Sequence, residues 1–120
     1  MTDRELLEAA AKAAGLAFKW RSGDPKWGAE HVGAAIYDDG ALVPWNPLAD
    51  DGDALRLAVR LNLAVNQYPI YENPKHSVLV QLKSLDDSRF SAVEPHNGDH
   101  YAATRRAIVR AAAEIGKAMP

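Results

Sequence analysis

Val32-Gly33-Ala34-Ala35-Ile36-Tyr37-Asp38-Asp39-Gly40-Ala41-Leu42-Val43-Pro44-Trp45 is the stretch on which the fold class turns. Two apolar runs rich in β-formers flank Asp39-Gly40, a dipeptide that adopts positive φ readily and closes a tight hairpin. The reading is a strand from about Val32 to Tyr37 and a returning strand from Ala41 to Trp45. Pro44 has no amide to donate to a ladder, so the returning strand lies at a sheet edge or ends there.

On the N-terminal side, Leu16, Phe18 and Trp20 alternate with Ala17, Lys19 and Arg21 in the period of a half-buried strand. A loop, Ser22-Gly23-Asp24-Pro25-Lys26-Trp27-Gly28, joins this strand to the hairpin. Before it, Thr2 and Glu5 form a capping box, with the Thr2 hydroxyl serving an amide and Glu5 reaching back to the amide of Thr2. Leu6, Leu7, Ala10, Ala13 and Ala14 then make one apolar face opposite Arg4, Glu8 and Lys12. Gly15 ends the helix in the left-handed conformation.

On the C-terminal side, Asp50-Asp51-Gly52-Asp53 opens a second helix. Ala54, Leu57, Ala58 and Leu61 line its apolar side, Leu55 and Val59 widen it, and Arg56 and Arg60 mark the wet side. A linker with Asn66, Pro69 and Pro74 follows, then a strand through Val78, Val80 and Leu82. Asp86-Asp87-Ser88 turns the chain into a last strand, Phe90 to Val93. Asp99 caps the longest helix, His100 to Ala118, with Tyr101, Ile108, Ala111, Ala112, Ile115 and Met119 towards the core. The order is α-β-β-β-α-β-β-α. Hairpins join most strands, so the class is α+β with a mainly antiparallel sheet packed by helices, on one face or on both as an α/β/α sandwich. The connection carrying the second helix is the one place for a parallel pair. Lys19, Arg21, Gln81 and Lys83 point to a partly wet sheet face.

At 120 residues the chain fits one domain spanning 1–120. A net charge of −2 argues against a whole-surface electrostatic grip on nucleic acid or on an anionic membrane. The sequence has no cysteine, which excludes disulfides, thiolate zinc sites and thiol catalysis. No apolar run approaches the ~18 residues of a membrane span, and the charged start lacks a signal-peptide core. The expected location is the cytoplasm.

Two blocks exceed generic patterning: Trp45-Asn46-Pro47-Leu48-Ala49-Asp50-Asp51-Gly52-Asp53-Ala54-Leu55-Arg56-Leu57-Ala58, and Ala103-Thr104-Arg105-Arg106-Ala107-Ile108-Val109-Arg110-Ala111-Ala112-Ala113-Glu114-Ile115-Gly116. Together they resemble the phage ABA sandwich domain family, small proteins of bacteriophages and prophages without a defined activity. The resemblance implies a sheet between helices and a phage or prophage origin, and it transfers no functional residue.

Several clusters have competing chemical readings. Asp50, Asp51 and Asp53 would suit a hard cation, but carboxylates at a helix start are explained by capping and the helix dipole. His96 and His100 have a ligand-like interval beside Asp99, without a second ligand pair; His31 and His76 are isolated. Arg106, Arg110 and Lys117 fall on one helical stripe with Ala113 between them, and Arg105 lies about 100° round. The stripe reads as a solvated face with Glu114 pairing to Arg110, or as a contact for an anionic ligand or acidic partner. Trp45 beside Asn46 either plugs the core end or stacks on a base, with Tyr37, Tyr68 and Tyr71 on the same surface. In the first case Asn46-Pro47 sets the turn into the helix.

No nucleophile motif, phosphate-cradling glycine loop or zinc-protease signature is present. The expectation is therefore a phage- or prophage-encoded, non-enzymatic accessory binding protein acting on a host factor, counter-defence being one such role. The candidate contacts are Trp45, Asn46, Arg105, Arg106 and Arg110, with no cofactor, catalytic residue or metal ligand assigned. The alternatives are a sequestering protein for a nucleotide-like anionic ligand and a metal-dependent hydrolase built on Asp50, Asp51 or Asp53. The expected partner is a host protein or a small anion. Alanine-rich helices that permit close packing also make a homo-oligomer an open possibility.

Overall fold

The computed structural model describes residues 1–20, 33–68, 77–82 and 90–120. Among them the order is α1 (Asp3–Ala14), β1 (Phe18–Trp20), β2 (Ala34–Asp38), β3 (Ala41–Pro44), α2 (Asp51–Arg60), β4 (Leu63–Gln67), β5 (Ser77–Leu82), β6 (Ser91–Pro95) and α3 (His100–Ala118). The strands form two antiparallel sheets of three, β1-β2-β3 and β4-β5-β6, on which the helices pack. The α+β class is as expected, but there are two sheets rather than one. No parallel pair forms across α2, because β3 and β4 belong to different sheets.

β4 is the element that the sequence reading passed over as linker. Asn62 takes positive φ (56°) just after α2, the conformation that stops a helix, and the chain leaves it directly as a strand. The loop Ser22–Gly28, the linker prolines Pro69 and Pro74, the turn Asp86-Asp87-Ser88, and Arg21, His31, Tyr71, His76 and Lys83 lie outside the described residues.

Local chemistry accounts for the element ends. Thr2 caps α1 by accepting the Glu5 amide at 3.2 Å, while its own hydroxyl donates to the Glu5 carboxylate. The capping box thus closes through the hydroxyl instead of the Thr2 amide. Gly15 ends α1 at φ 70°, as read. Asp39 and Gly40 both take positive φ (51° and 83°), the turn that lets β2 and β3 pair directly, and Pro44 sits on the edge strand.

α3 is the centre of the molecule. One side lies on β5 and β6, where Val78, Val80 and Ala92 are buried, and the other packs on α1. Both helices are rich in buried small residues: α1 buries Ala10, Ala11 and Ala14 beside Leu6 and Leu7, and α3 buries Ala107, Ala111, Ala112 and Ala113. Small side chains let two helix backbones approach closely. At Gly116 a Cβ would overlap the carbonyl oxygen of Ala9 and come within 2.8 Å of its carbon. Lys12 reaches the carbonyl of Met119 at 3.1 Å, and Arg60 donates from Nε to the carbonyl of Ala14, tying the end of α2 to the end of α1. The β1-β2-β3 sheet closes the same core through Phe18, Trp20, Ala34 and Ile36.

Three apolar side chains expected in the core or widening its helix face are not covered. Leu55 is 64% exposed, Val59 71% and Tyr101 72%. Met119, at the frayed end of α3, is also exposed.

Replacing Gly116 with alanine forces α1 and α3 apart, because the obstacle is backbone and cannot rotate away. The expected loss is about 1–3 kcal/mol in urea unfolding, the usual range for overpacking a tight core. Gly52→Ala is the comparison: its Cβ meets side-chain ends of Arg56 and Asp50 rather than backbone, so the loss stays below about 1 kcal/mol, the size of a disturbed N-cap.

Candidate functional site

The start of α2 and the second turn of α3 are clasped together by Arg105. Its Nη1 meets the Asp51 carboxylate at 2.7 Å and its Nε donates to the carbonyl of Leu48 at 2.9 Å. Asp50, the N-cap of α2, accepts the Asp53 amide at 2.8 Å. Asp53 in turn accepts the Asn46 amide at 2.9 Å and pairs with Arg56 at 2.7 Å. That hydrogen bond raises the Arg56 guanidinium above its ordinary pKa. The acidic cluster is thus engaged in capping and helix-start contacts. Asn46 Oδ1 accepts from the Leu48 amide at 3.1 Å, which sets the turn that delivers the chain to α2.

Below the clasp, α2, α3 and the edge strand β4 diverge and leave an open groove of about 1100 Å³. Ala54, Leu55 and Ala58 form its α2 wall, and Val65, Gln67 and Tyr68 come from β4. The opposite wall is Tyr101, Thr104, Arg105 and Ile108 of α3, with His96, Gly98, Asp99 and His100 at the polar end. The lining is mostly apolar, and Leu55 and Tyr101 stand out from it into solvent.

The polar end is ordered by a directional chain. The Thr104 hydroxyl donates to the carbonyl of His100 at 2.7 Å, and a carbonyl only accepts. Gln67 Nε2 must therefore donate to Thr104 Oγ1 (2.7 Å), which turns Gln67 Oε1 to His96 Nε2 (2.7 Å) as an acceptor. His96, 4% exposed, consequently carries a proton on Nε2. Because the chain terminates on backbone, it positions groups rather than relaying a proton, and the Thr104 hydroxyl is committed.

Asn97 (φ 50°) and Gly98 (φ 84°) reverse the chain between the two histidines. The rings of His96 and His100 consequently stack with centroids 4.1 Å apart instead of converging on an ion. Among the described residues no three metal-ligating side chains gather. The Asn97-Gly98 dipeptide, a strong turn signal, is the sequence feature from which this reversal was readable.

The five candidate contacts do not converge on one surface. Trp45 is 4% exposed and its ring packs edge-on to Phe18 at 6.2 Å, so it plugs the core. Asn46 serves the turn, and Arg105 lines the groove with its charge matched by Asp51. Arg106 reaches Asp3 (3.3 Å) and Glu94 (3.7 Å), and Arg110 holds Glu94 at 2.6 Å. Their stripe is broken by Ala113, which is fully buried. Glu114 pairs with Lys117 at 3.2 Å, in place of the expected pairing with Arg110. The groove residues Leu55, Val65, Gln67, Tyr101 and Thr104 were not anticipated as a site, since they gather only once β4 forms.

No protein-family model, curated protein or solved structure matches the chain. Among the described residues no helix is long and apolar enough to cross a membrane.

The clasp has two unequal halves. Asp51 is mostly exposed, so Asp51→Ala should cost less than about 1 kcal/mol. Arg105→Ala also strips the Leu48 carbonyl of its donor and should cost about 1–2 kcal/mol in denaturant unfolding. Equal losses for the two variants would show that the carbonyl bond contributes nothing.

Proposed function

We propose that the chain is a phage- or prophage-encoded accessory protein that binds a host factor in the bacterial cytoplasm, counter-defence being one such role, and that the groove between α2 and α3 is the binding site. The observation carrying this reading is the groove itself, with exposed Leu55 and Tyr101 at its mouth and Val59 one turn along α2 from Leu55. Contiguous apolar surface of this kind marks interaction sites on water-facing proteins. The phage setting is supported by the resemblance of the two sequence blocks around Asn46 and Arg105. Both blocks contribute to the clasp and the groove walls.

A nucleotide-like ligand fits this geometry poorly. Arg105, Arg106 and Arg110 each face a carboxylate, and Trp45 is packed in the core. An anion would have to compete with Asp51, Asp3 or Glu94 for these guanidinium groups.

Leu55→Lys and Tyr101→Lys test the reading, because both side chains are largely exposed and the variants should unfold like the parent. Affinity capture from host lysate is expected to recover a partner with the parent and with Arg110→Ala, and to lose it with either lysine variant. Binding of labelled nucleotides that disappears in Arg106→Ala, with capture unaffected by the lysine variants, would overturn it.

A further inference from the structure

The described residues contain four sheet edges, and they are not alike. β1 carries Lys19, β3 carries Pro44, and β6 carries Pro95 together with Glu94, which turns towards the arginines of α3. Charges and prolines of this kind blunt an edge against further pairing. β4, Leu63-Ala64-Val65-Asn66-Gln67, has neither.

Its free side can be assigned residue by residue. The amide of Tyr68 bonds the carbonyl of Ser77 at 2.9 Å, continuing the β4–β5 register in which Gln67 faces Val78. Antiparallel bonding alternates, so Ala64 and Asn66 direct their backbone groups to β5, while Leu63, Val65 and Gln67 direct theirs outward. Val65 and Gln67 also line the groove. A row of backbone donors and acceptors therefore runs beside the apolar groove, and backbone of that geometry is matched by an extended strand. Asp51 in the groove is matched by Arg105, whereas Asp99, whose Oδ1 accepts the Ala102 amide as the cap of α3, forms no ion pair among the described residues, so that end of the site carries negative charge.

We propose that the partner engages this site as an extended segment that pairs with the outer edge of β4, setting alternate apolar side chains against Leu55, Val65 and Tyr101 and a basic residue towards Asp99. The inference rests on the groove being the binding site proposed above.

Two probe peptides of about ten residues, the length of a long strand, blocked at both ends and alternating valine with threonine, test it. One carries terminal lysines and the other terminal glutamates, and binding is followed by fluorescence polarisation and by amide hydrogen exchange of the full chain. The lysine peptide is expected to bind at least about tenfold more tightly than the glutamate peptide. It should slow exchange at the Val65 and Gln67 amides, leaving Ala64 and Asn66, already bonded to β5, unchanged. N-methylation of one alternate set of its amides should abolish binding, and methylation of the other set should preserve it.

Binding indifferent to which set is methylated, or without protection of Val65 and Gln67, overturns strand addition; host capture that still depends on Leu55 would then leave the groove reading standing. Preference for the glutamate peptide, or binding of neither, also overturns it. So does protection of Val65 and Gln67 in the protein alone with a dimer in sedimentation, which would make a second copy the occupant.

Discussion

The close approach of α1 to α3 is the constraint on which the other contacts depend. α3 is covered by a sheet on one side and by α1 on another, and six of its eight buried residues are alanine or glycine, with Ile108 and Val109 the two larger ones. Small residues contribute little apolar area each, so the interface gains from the dispersion of two backbones brought together. The missing Cβ at Gly116, against Ala9, is what permits that distance. With α1 and α3 locked, the Arg60–Ala14 bond and the Arg105 clasp suspend α2 from both ends of the pair. The groove is the space left where α2 has been fixed at its ends but not pressed onto α3 along its length.

The helix ends were legible because each rests on one or two residues acting locally. Thr2, Gly15, Asp50 and Asp99 all cap as their chemistry dictates, and Asp39-Gly40 makes its turn without help from the rest of the chain. β4 was not legible for the opposite reason. Its five residues include Asn66 and Gln67, have no strong alternation, and pair only because Ser77–Leu82 lies alongside, a contact distant in sequence. The division into two sheets is likewise a tertiary fact, since hairpin signals specify neighbours but not the number of sheets they join.

Periodicity misplaced Leu55, Val59 and Tyr101 for an instructive reason. Spacing identifies which face of a helix is apolar, but it does not say that the protein itself covers that face. The arginines of α3 show the converse. Their stripe read either as a solvated, paired face or as a contact surface, and its partners proved to be Glu94 and Asp3 rather than Glu114. Charges drawn to binding-site roles by sequence alone are here consumed by the fold, and apolar residues assigned to the core are left at the surface.

That exchange bears on why the groove is shaped as it is. A surface leucine on a helix flank is easily replaced by lysine or glutamate without loss of helix propensity, and nothing in the packing of α2 requires Leu55 or Val59. The floor, in contrast, is held by a polar chain. His96, Gln67, Thr104 and the carbonyl of His100 are bonded in one direction only, and His96 is the buried member, so loss of Gln67 removes the acceptor of its Nε2 proton. A hydrogen-bonded floor beneath exposed apolar lips is the arrangement that the proposed binding of a partner's backbone calls for. The uncharged edge of β4 beside that floor completes the same arrangement, because backbone pairing needs a strand whose position does not shift as the partner arrives.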